Sequence, residues 1–247
     1  MEVKICAISD IHGSLIDIPE CDILCICGDI LPLDIQRNND ESIAWLAGPF
    51  QKWALDAPCK YVLMIWGNHD WYGDKCYRGG LEGWEQCERL FKNDLGLDPK
   101  IQILCDEGFE ALGIKFYGTS WCPSLKNWAF YGDSETLKRK FDNIPIDTKV
   151  LLTHCPPKFG QQGIVLQQNN WNFLSNFGCQ ELQDVIKIKF DTLINNIDYN
   201  KLYILSGHIH SGNHDWENEG NVWYRNVSIK DENYEPVYLP KTFSIYV

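Results

Sequence analysis

Short, almost wholly apolar runs punctuate the chain, and five of them stop at residues able to bind cations or move protons. Val3–Ser9, interrupted only by Lys4, stops at Asp10, and Ile23–Cys27 stops at Gly28-Asp29. Tyr61–Trp66 stops at Gly67-Asn68-His69-Asp70, Lys149–Thr153 at His154, and Leu202–Ser206 at Gly207-His208-Ile209-His210. Apolar runs this short and this continuous predict strands covered on both faces, as in a layered α/β fold. Helical spacing appears between them, most clearly at Leu182, Val185, Ile186, Phe190, Leu193 and Ile194. Ser42–Leu55 and Gly83–Leu95 predict further helices; Phe116–Tyr117, Val222–Asn226 and Phe243–Val247 predict further strands. Open α/β sheets hold their ligands outside the carboxyl ends of the strands, so five separate segments are predicted to converge on one edge.

Composition narrows the picture without changing it. The chain has 247 residues, of which 45% are hydrophobic, enough to fill one core near the usual ceiling of about 250–300 residues. A single domain over 1–247 is therefore predicted. No run approaches the ~18 apolar residues of a membrane span, and the N-terminus lacks the basic flank and apolar stretch of an export signal. A soluble, cytoplasmic protein with no membrane partner is the expectation. The eleven cysteines then read as reduced, mostly buried thiols. Net charge is −12, from 22 Lys and Arg against 34 Asp and Glu, which disfavours long nucleic acids as partners. It leaves open a small anionic substrate held by something local and positive.

The strand-end motifs offer imidazoles, carboxylates and one carboxamide, and no thiolate. That mixture suits manganese, iron or zinc better than a sulfur-rich structural zinc site. In extended backbone, residues i and i+2 share a side, so Asp10 with His12, and His208 with His210, can each reach into one pocket. The order Asp-x-His, Gly-Asp, Gly-Asn-His-Asp, His and Gly-His-x-His, spanning Asp10 to His210, resembles the calcineurin-like metallophosphoesterase superfamily. Further segments are similar to its MPPED (metallophosphoesterase-domain-containing) branch. They are Phe116-Tyr117-Gly118-Thr119-Ser120-Trp121, Trp128-Ala129-Phe130, Thr153-His154-Cys155-Pro156-Pro157, Gly178-Cys179, Asn226-Val227-Ser228 and Tyr234-Glu235-Pro236.

The resemblance implies a four-layer αββα sandwich with helices outside two facing sheets. It implies two divalent metal ions, manganese first, with iron, zinc or magnesium as alternatives. Asp10, His12 and His210 would hold one; Asn68, His154 and His208 the other; Asp29 would bridge them. Two M²⁺ against two carboxylates leave the pocket about +2, an anion trap on an acidic protein. By the same resemblance, His69 faces substrate, with Asp70 orienting its ring; Asn68 beside it, and Trp71 two residues from it, are candidate substrate contacts. The implied activity is phosphoester hydrolysis by a metal-bridging hydroxide, with small phosphodiesters such as nucleotide derivatives favoured over monoesters. Pro32 stands where purple acid phosphatases carry a ligating Tyr, and Ile30-Leu31-Pro32-Leu33 lacks the Asp-Arg-Gly of Ser/Thr protein phosphatases. Two other readings stay open: a nuclease or nucleic-acid end-processing phosphatase, and a non-catalytic interaction scaffold on the same fold. His214 fits no block and is expected in a solvated loop. Trp71, Tyr72, Trp121, Trp128 and Trp171 are candidates for an aromatic lip, with packing as the plainer role for most.

Overall fold

The apolar runs form the parallel centres of two mixed sheets. The computed structural model describes residues 1–79, 96–123, 126–167, 173–191 and 201–247. The first sheet joins β1 (Glu2–Ile8), β2 (Ile23–Cys27), β3 (Tyr61–Ile65) and β4 (Ile101–Ile103) in parallel, with the C-terminal Lys241–Tyr246 antiparallel to β1 on the far edge. The second sheet is built on β5 (Glu107–Ala111), β6 (Ile114–Thr119) and β7 (Val150–Thr153). Beyond a separate hairpin of β8 (Ile164–Gln167) and β9 (Phe173–Asn176), it continues with β10 (Leu202–Ser206), β11 (Glu217–Glu219) and β12 (Val222–Asn226). Its order is β11-β12-β10-β7-β6-β5, parallel except at the two edges. The closing strand, Lys241–Tyr246, is β13.

Alternation along each strand divides the interior into three apolar layers. Val3, Ile5, Ile23, Cys25, Leu63 and Ile65 from the first sheet pack with Phe116, Val150, Leu152 and Leu205 from the second. The intervening side chains of the first sheet, Cys6, Ile8, Leu24, Ile26, Val62 and Met64, face outward onto Leu46, Phe50 and Ala54. Those of the second, Tyr117, Leu151, Leu202 and Ile204, pack on Leu137, Phe141, Leu182 and Ile186. Sheet faces sheet across one layer and helices cover both outsides, which is the αββα sandwich. The outer helices are α1 (Asn39–Trp45) and α2 (Gln51–Asp56) on one side, and α4 (Ser134–Phe141) and α5 (Gln180–Lys189) on the other; α3 (Trp71–Gly79) follows the Asn68 loop.

The helix predicted over Ser42–Leu55 is present within one uninterrupted helical segment, 39–56, whose middle turn widens. Leu46–Phe50 forms a π-turn between α1 and α2, with Pro49 inside it. Proline has no N–H to donate and its ring crowds the preceding turn, so the chain widens there instead of keeping one α-helical register. The predicted helix Gly83–Leu95, the tail residues Leu193 and Ile194 of the α5 pattern, and Trp171 lie outside the described residues. No helix among the described residues is long and apolar enough to cross a membrane. The ten described cysteines are all free, and eight are buried.

Candidate metal centre

β1, β2 and β3, parallel in one sheet, and β7 and β10, parallel in the other, deliver their terminal motifs to one place because their carboxyl ends meet at the same edge. The backbone is bent hard to do so. Asp10 (φ 55°), His12 (φ 40°), Asp29 (φ 52°) and His208 (φ 68°) all adopt left-handed conformations that side-chain-bearing residues rarely take. Hydrogen bonds hold these turns: Asp10 N donates to Gly28 O at 3.0 Å, and His12 N to Asp29 O at 3.0 Å. Gly67 and Gly207 carry no side chain for a steric reason. A Cβ at Gly67 would run into the carboxylate and backbone nitrogen of Asp29, and one at Gly207 into Ser9 and the carboxylate of Asp10.

Each carboxylate fixes a histidine from another strand. Asp29 Oδ1 accepts from His69 N at 2.8 Å, and the Asp10 carboxylate accepts from His208 N at 3.0 and 3.1 Å. Two histidines are oriented from behind: His154 Nδ1 bonds Cys27 O and His210 Nδ1 bonds Asp231 O, both at 2.8 Å. A ring anchored through Nδ1 to a carbonyl presents Nε2 forward, the arrangement that metal-binding imidazoles commonly use. His154 Nε2 then stands 3.0 Å from Asn68 Oδ1 and 3.3 Å from Asp29 Oδ2. His210 Nε2 lies 3.4 Å from Asp10 Oδ1.

Asp10, His12 and His210 form one group whose ligand atoms all lie within 4.8 Å of one another, and Asp10, Asp29 and His154 form another. The arrangement fits cations on its own terms. Both ring nitrogens of His12 are buried without a hydrogen-bond partner, and its Nε2 lies 3.6 Å from Asp29 Oδ2. A buried imidazole stripped of all partners is costly unless something shares its lone pair. The structure thus brings together Asp10, His12, Asp29, Asn68, His154, His208 and His210, with Asp29 reaching furthest across the cluster. It also adds a thiol that the strand-end motifs lack: Cys122, His154 and His208 form a third such group.

Opposite charges within the cluster pair carboxylates with imidazoles. Burial alone would raise Asp10, but its hydrogen bond to His210 and the charges of His154 and His210 bring it down to about 2. Asp29 is likewise held well below the carboxylate range against its burial, by the charges of His154 and His69. Burial would lower His154 and His210, but the carboxylates lift them to about 10 and about 9. Burial pushes His12 and His208 down to about 4. Two anions therefore hold two imidazolium ions, whose protons a metal ion bound there would have to displace.

His69 lies at the edge of the cluster, with Nε2 3.9 Å from Asp29 Oδ2 and its ring 4.4 Å from that of Trp128. The expected orienting role of Asp70 is not what the fold uses. Its carboxylate turns inward and accepts from Ile30 N at 2.9 Å, Leu31 N at 3.0 Å and Gly67 N at 2.8 Å, clamping the Asp29 loop to the Asn68 loop. The partner of His69 is Gln36, whose Oε1 lies 2.7 Å from His69 Nδ1 while its Nε2 donates to Leu33 O at 2.8 Å. With the amide fixed that way, Oε1 must accept, so Nδ1 carries the hydrogen.

Around the rim, Trp71 and Trp128 are half-buried and flank the exposed Arg37, whose guanidinium carbon lies 4.3 and 5.5 Å from their ring centroids. Tyr72 and Trp121 are buried, the latter donating to Asp106, so they belong to the packing. Tyr234 stands over the centre, its ring 5.0 Å from His12 and 5.2 Å from His210. His214 is not the solvated loop residue expected: it is half-buried, stacked 3.9 Å from Tyr238, with Nε2 2.9 Å from His210 O. Gln36, Arg37 and the Asp231 carbonyl carried no sequence signal, and Tyr234 was visible only within a segment of resemblance.

A two-sheet α/β sandwich with His, Asp and Asn side chains gathered at the ends of five parallel strands defines the metallophosphoesterase class. The chain belongs to the calcineurin-like phosphoesterase family, whose profile matches residues 3–212. It is 27% identical over 259 residues to the UPF0046 protein C25E10.12 of Caenorhabditis elegans, covering 99% of this chain and 81% of that one. It is 25% identical over 256 residues to human metallophosphoesterase domain-containing protein 1, covering 94% and 68%. A solved structure with 14% identity shares the fold at a TM-score of 0.53 over 92% of this chain and 90% of its own.

Proposed function

We propose that the protein is a binuclear-metal-dependent phosphoester hydrolase acting on small phosphoesters, diesters before monoesters. The observation that carries the reading is the convergence of seven ligand-type side chains, with both nitrogens of His12 buried and unpartnered, at the end of five parallel strands. Asp10, His12 and His210 would hold one cation and Asn68, His154 and His208 the other, with Asp29 shared. When bound, such a pair supplies Lewis acidity at the phosphoryl oxygens and acidifies a water to serve as nucleophile. Manganese suits the oxygen and imidazole donors of the first position.

The chain's own groups supply the rest. Gln36 holds His69 through Nδ1–H so that Nε2 points toward the cluster as an open lone pair; once Nε2 has taken a proton from solvent it can steady a phosphoryl oxygen or pass that proton to the leaving oxygen. Arg37 places a positive charge at the rim between two indole rings, suited to a second anionic or aromatic part of the substrate. The preference for diesters rests on the MPPED-like segments, and the preference for small substrates on the acidic net charge outside the pocket.

The test is an activity screen of purified protein on bis(p-nitrophenyl) phosphate, p-nitrophenyl phosphate and nucleotide esters with Mn²⁺, Fe²⁺, Zn²⁺ and Mg²⁺. Turnover of the diester above the monoester supports the reading. No hydrolysis with any ion favours the scaffold role, and cleavage confined to polynucleotides favours the nuclease.

A further inference from the structure

Cys122 follows Trp121 in the loop after β6 and is completely buried. Both of its backbone groups are fixed, N donating to Phe130 O at 3.0 Å and O accepting from Gly132 N at 3.1 Å. Its Sγ and one ring nitrogen each of His154 and His208 all lie within 4.8 Å of one another, and the two rings are 5.1 Å apart. The hydrogen bond of the thiol to Ser120 O is long, at 3.8 Å, and its other side-chain partner is the neighbouring thiol of Cys155. His154 and His208 are the imidazoles of the second metal position, so the sulfur sits beside that position and not beside the first.

We propose that Cys122 is a thiolate donor to the second metal position, making it a mixed nitrogen and sulfur site selective for zinc or ferrous iron, while the first position keeps a harder ion. Among the described residues no thiol joins the group of Asp10, His12 and His210, so the two positions differ in softness and the centre is heteronuclear. Cys122 would join Asn68, His154, His208 and the shared Asp29 as a fifth donor; an ion at about 2.1 Å from nitrogen and about 2.3 Å from sulfur keeps those atoms roughly 3.1–3.6 Å apart, so the group closes around it with shifts of about an ångström. As the metal–sulfur bond forms the S–H bond breaks, and the proton leaves to solvent. Thiolate favours zinc and iron over manganese and magnesium, which prefer oxygen. The inference rests on the binuclear reading for the presence of the ions, and it revises the thiolate-free donor set that pointed to manganese throughout.

The experiment loads the chelator-stripped full chain with Co²⁺ and records absorption. Wild type is expected to show visible d–d bands and a near-ultraviolet thiolate-to-cobalt charge-transfer band. Cys155→Ser, which removes a neighbouring buried thiol, is expected to keep that band. Cys122→Ser is expected to lose it while the d–d bands persist, and to lose at least about tenfold in preference for zinc over manganese in competition. Zinc-edge X-ray absorption on wild type, which needs no variant to fold, is expected to show one sulfur neighbour near about 2.3 Å. Bound cobalt without the charge-transfer band, a band unchanged in Cys122→Ser, or a zinc shell of nitrogen and oxygen alone would overturn the proposal. The functional reading fails separately: phosphoester hydrolysis without the sulfur signature sinks only the thiolate, and the signature without any hydrolysis sinks only the hydrolase.

Discussion

Asp70 invites the most discriminating substitution, because its neighbour His69 suggests chemistry and its contacts suggest architecture. Its carboxylate is wholly buried and accepts from three backbone N–H groups, two just after Asp29 and one just before Asn68. Asp70→Ala orphans all three donors, at about 1–3 kcal/mol each, a large share of the roughly 5–15 kcal/mol that holds a domain together. Asp70→Asn is the sharper probe. Its amide oxygen can keep Ile30 and Leu31, whereas the NH₂ group would face the Gly67 N–H, donor against donor. That loss of about 1–3 kcal/mol corresponds to a Tm lower by roughly 2–12 °C in a chain of this size. The two loops it joins carry Asp29 and Asn68, so metal retention after gel filtration should fall in parallel. Thermal unfolding and metal content are measured on the same sample, with initial rates alongside. A normal Tm and normal metal content in Asp70→Asn, with hydrolysis abolished, would refute the clamp and return Asp70 to the chemistry.

The chelator-stripped protein is expected to be most stable near pH 6.5. His12 and His208, at about 4 when folded, bind fewer protons than the unfolded chain between pH 4 and 6.5, so stability rises with pH there, partly opposed by Asp70, which burial and Asp29 push up to about 7. His210 and His154 stabilise below pH 6.5 and lose that contribution as pH climbs through about 9 and about 10, so the melting temperature falls on the alkaline side; a flat profile across pH 6.5–10 would contradict the ion-pair account. Replacing His69 by Ala should lower kcat by about 10²–10⁴-fold, and Gln36→Leu by a smaller factor with KM nearly unmoved. An unchanged kcat in Gln36→Leu would remove its positioning role. Gly67→Ala forces a methyl onto Asp29, an overpacking of about 1–3 kcal/mol, and should show reduced metal content by elemental analysis.

The metal-ligand cluster was legible because two independent signals coincide at each of its members. Asp10, Asp29, Asn68, His154 and His208 each lie one to three residues past the end of a mostly apolar strand, so the first carboxylate, amide or imidazole after the run marks the strand end and its position at the common edge. Layering was legible for the same reason, since β1, β2 and β3 are apolar on both faces apart from Glu2 and Lys4 of β1; the four-layer order came from the family resemblance. What failed to show lies where neither period nor motif operates. Gln36 reaches His69 from an irregular loop 33 residues earlier, and only the folded chain reveals that contact. Asp70 misled because adjacency in sequence is not a shared direction; at the entrance to α3, His69 faces the cluster and Asp70 faces back into the loops. Cys122 was hidden by its own chemistry, since a thiol among apolar neighbours reads as core. Pro49 stood in plain view, but helical spacing around it concealed the π-turn it occupies.

Hydrolysis of bis(p-nitrophenyl) phosphate by metal-loaded wild type, set against Asp29→Ala and the chelator-stripped protein, tests the central claim most directly. Asp29 is the carboxylate that His12, His69 and His154 all approach within 3.9 Å, so its removal should collapse the centre without touching the sheets. Turnover is expected to require added divalent metal, to disappear in Asp29→Ala and to return to wild type alone when metal is restored. Equal rates in wild type, Asp29→Ala and the stripped protein would contradict that claim.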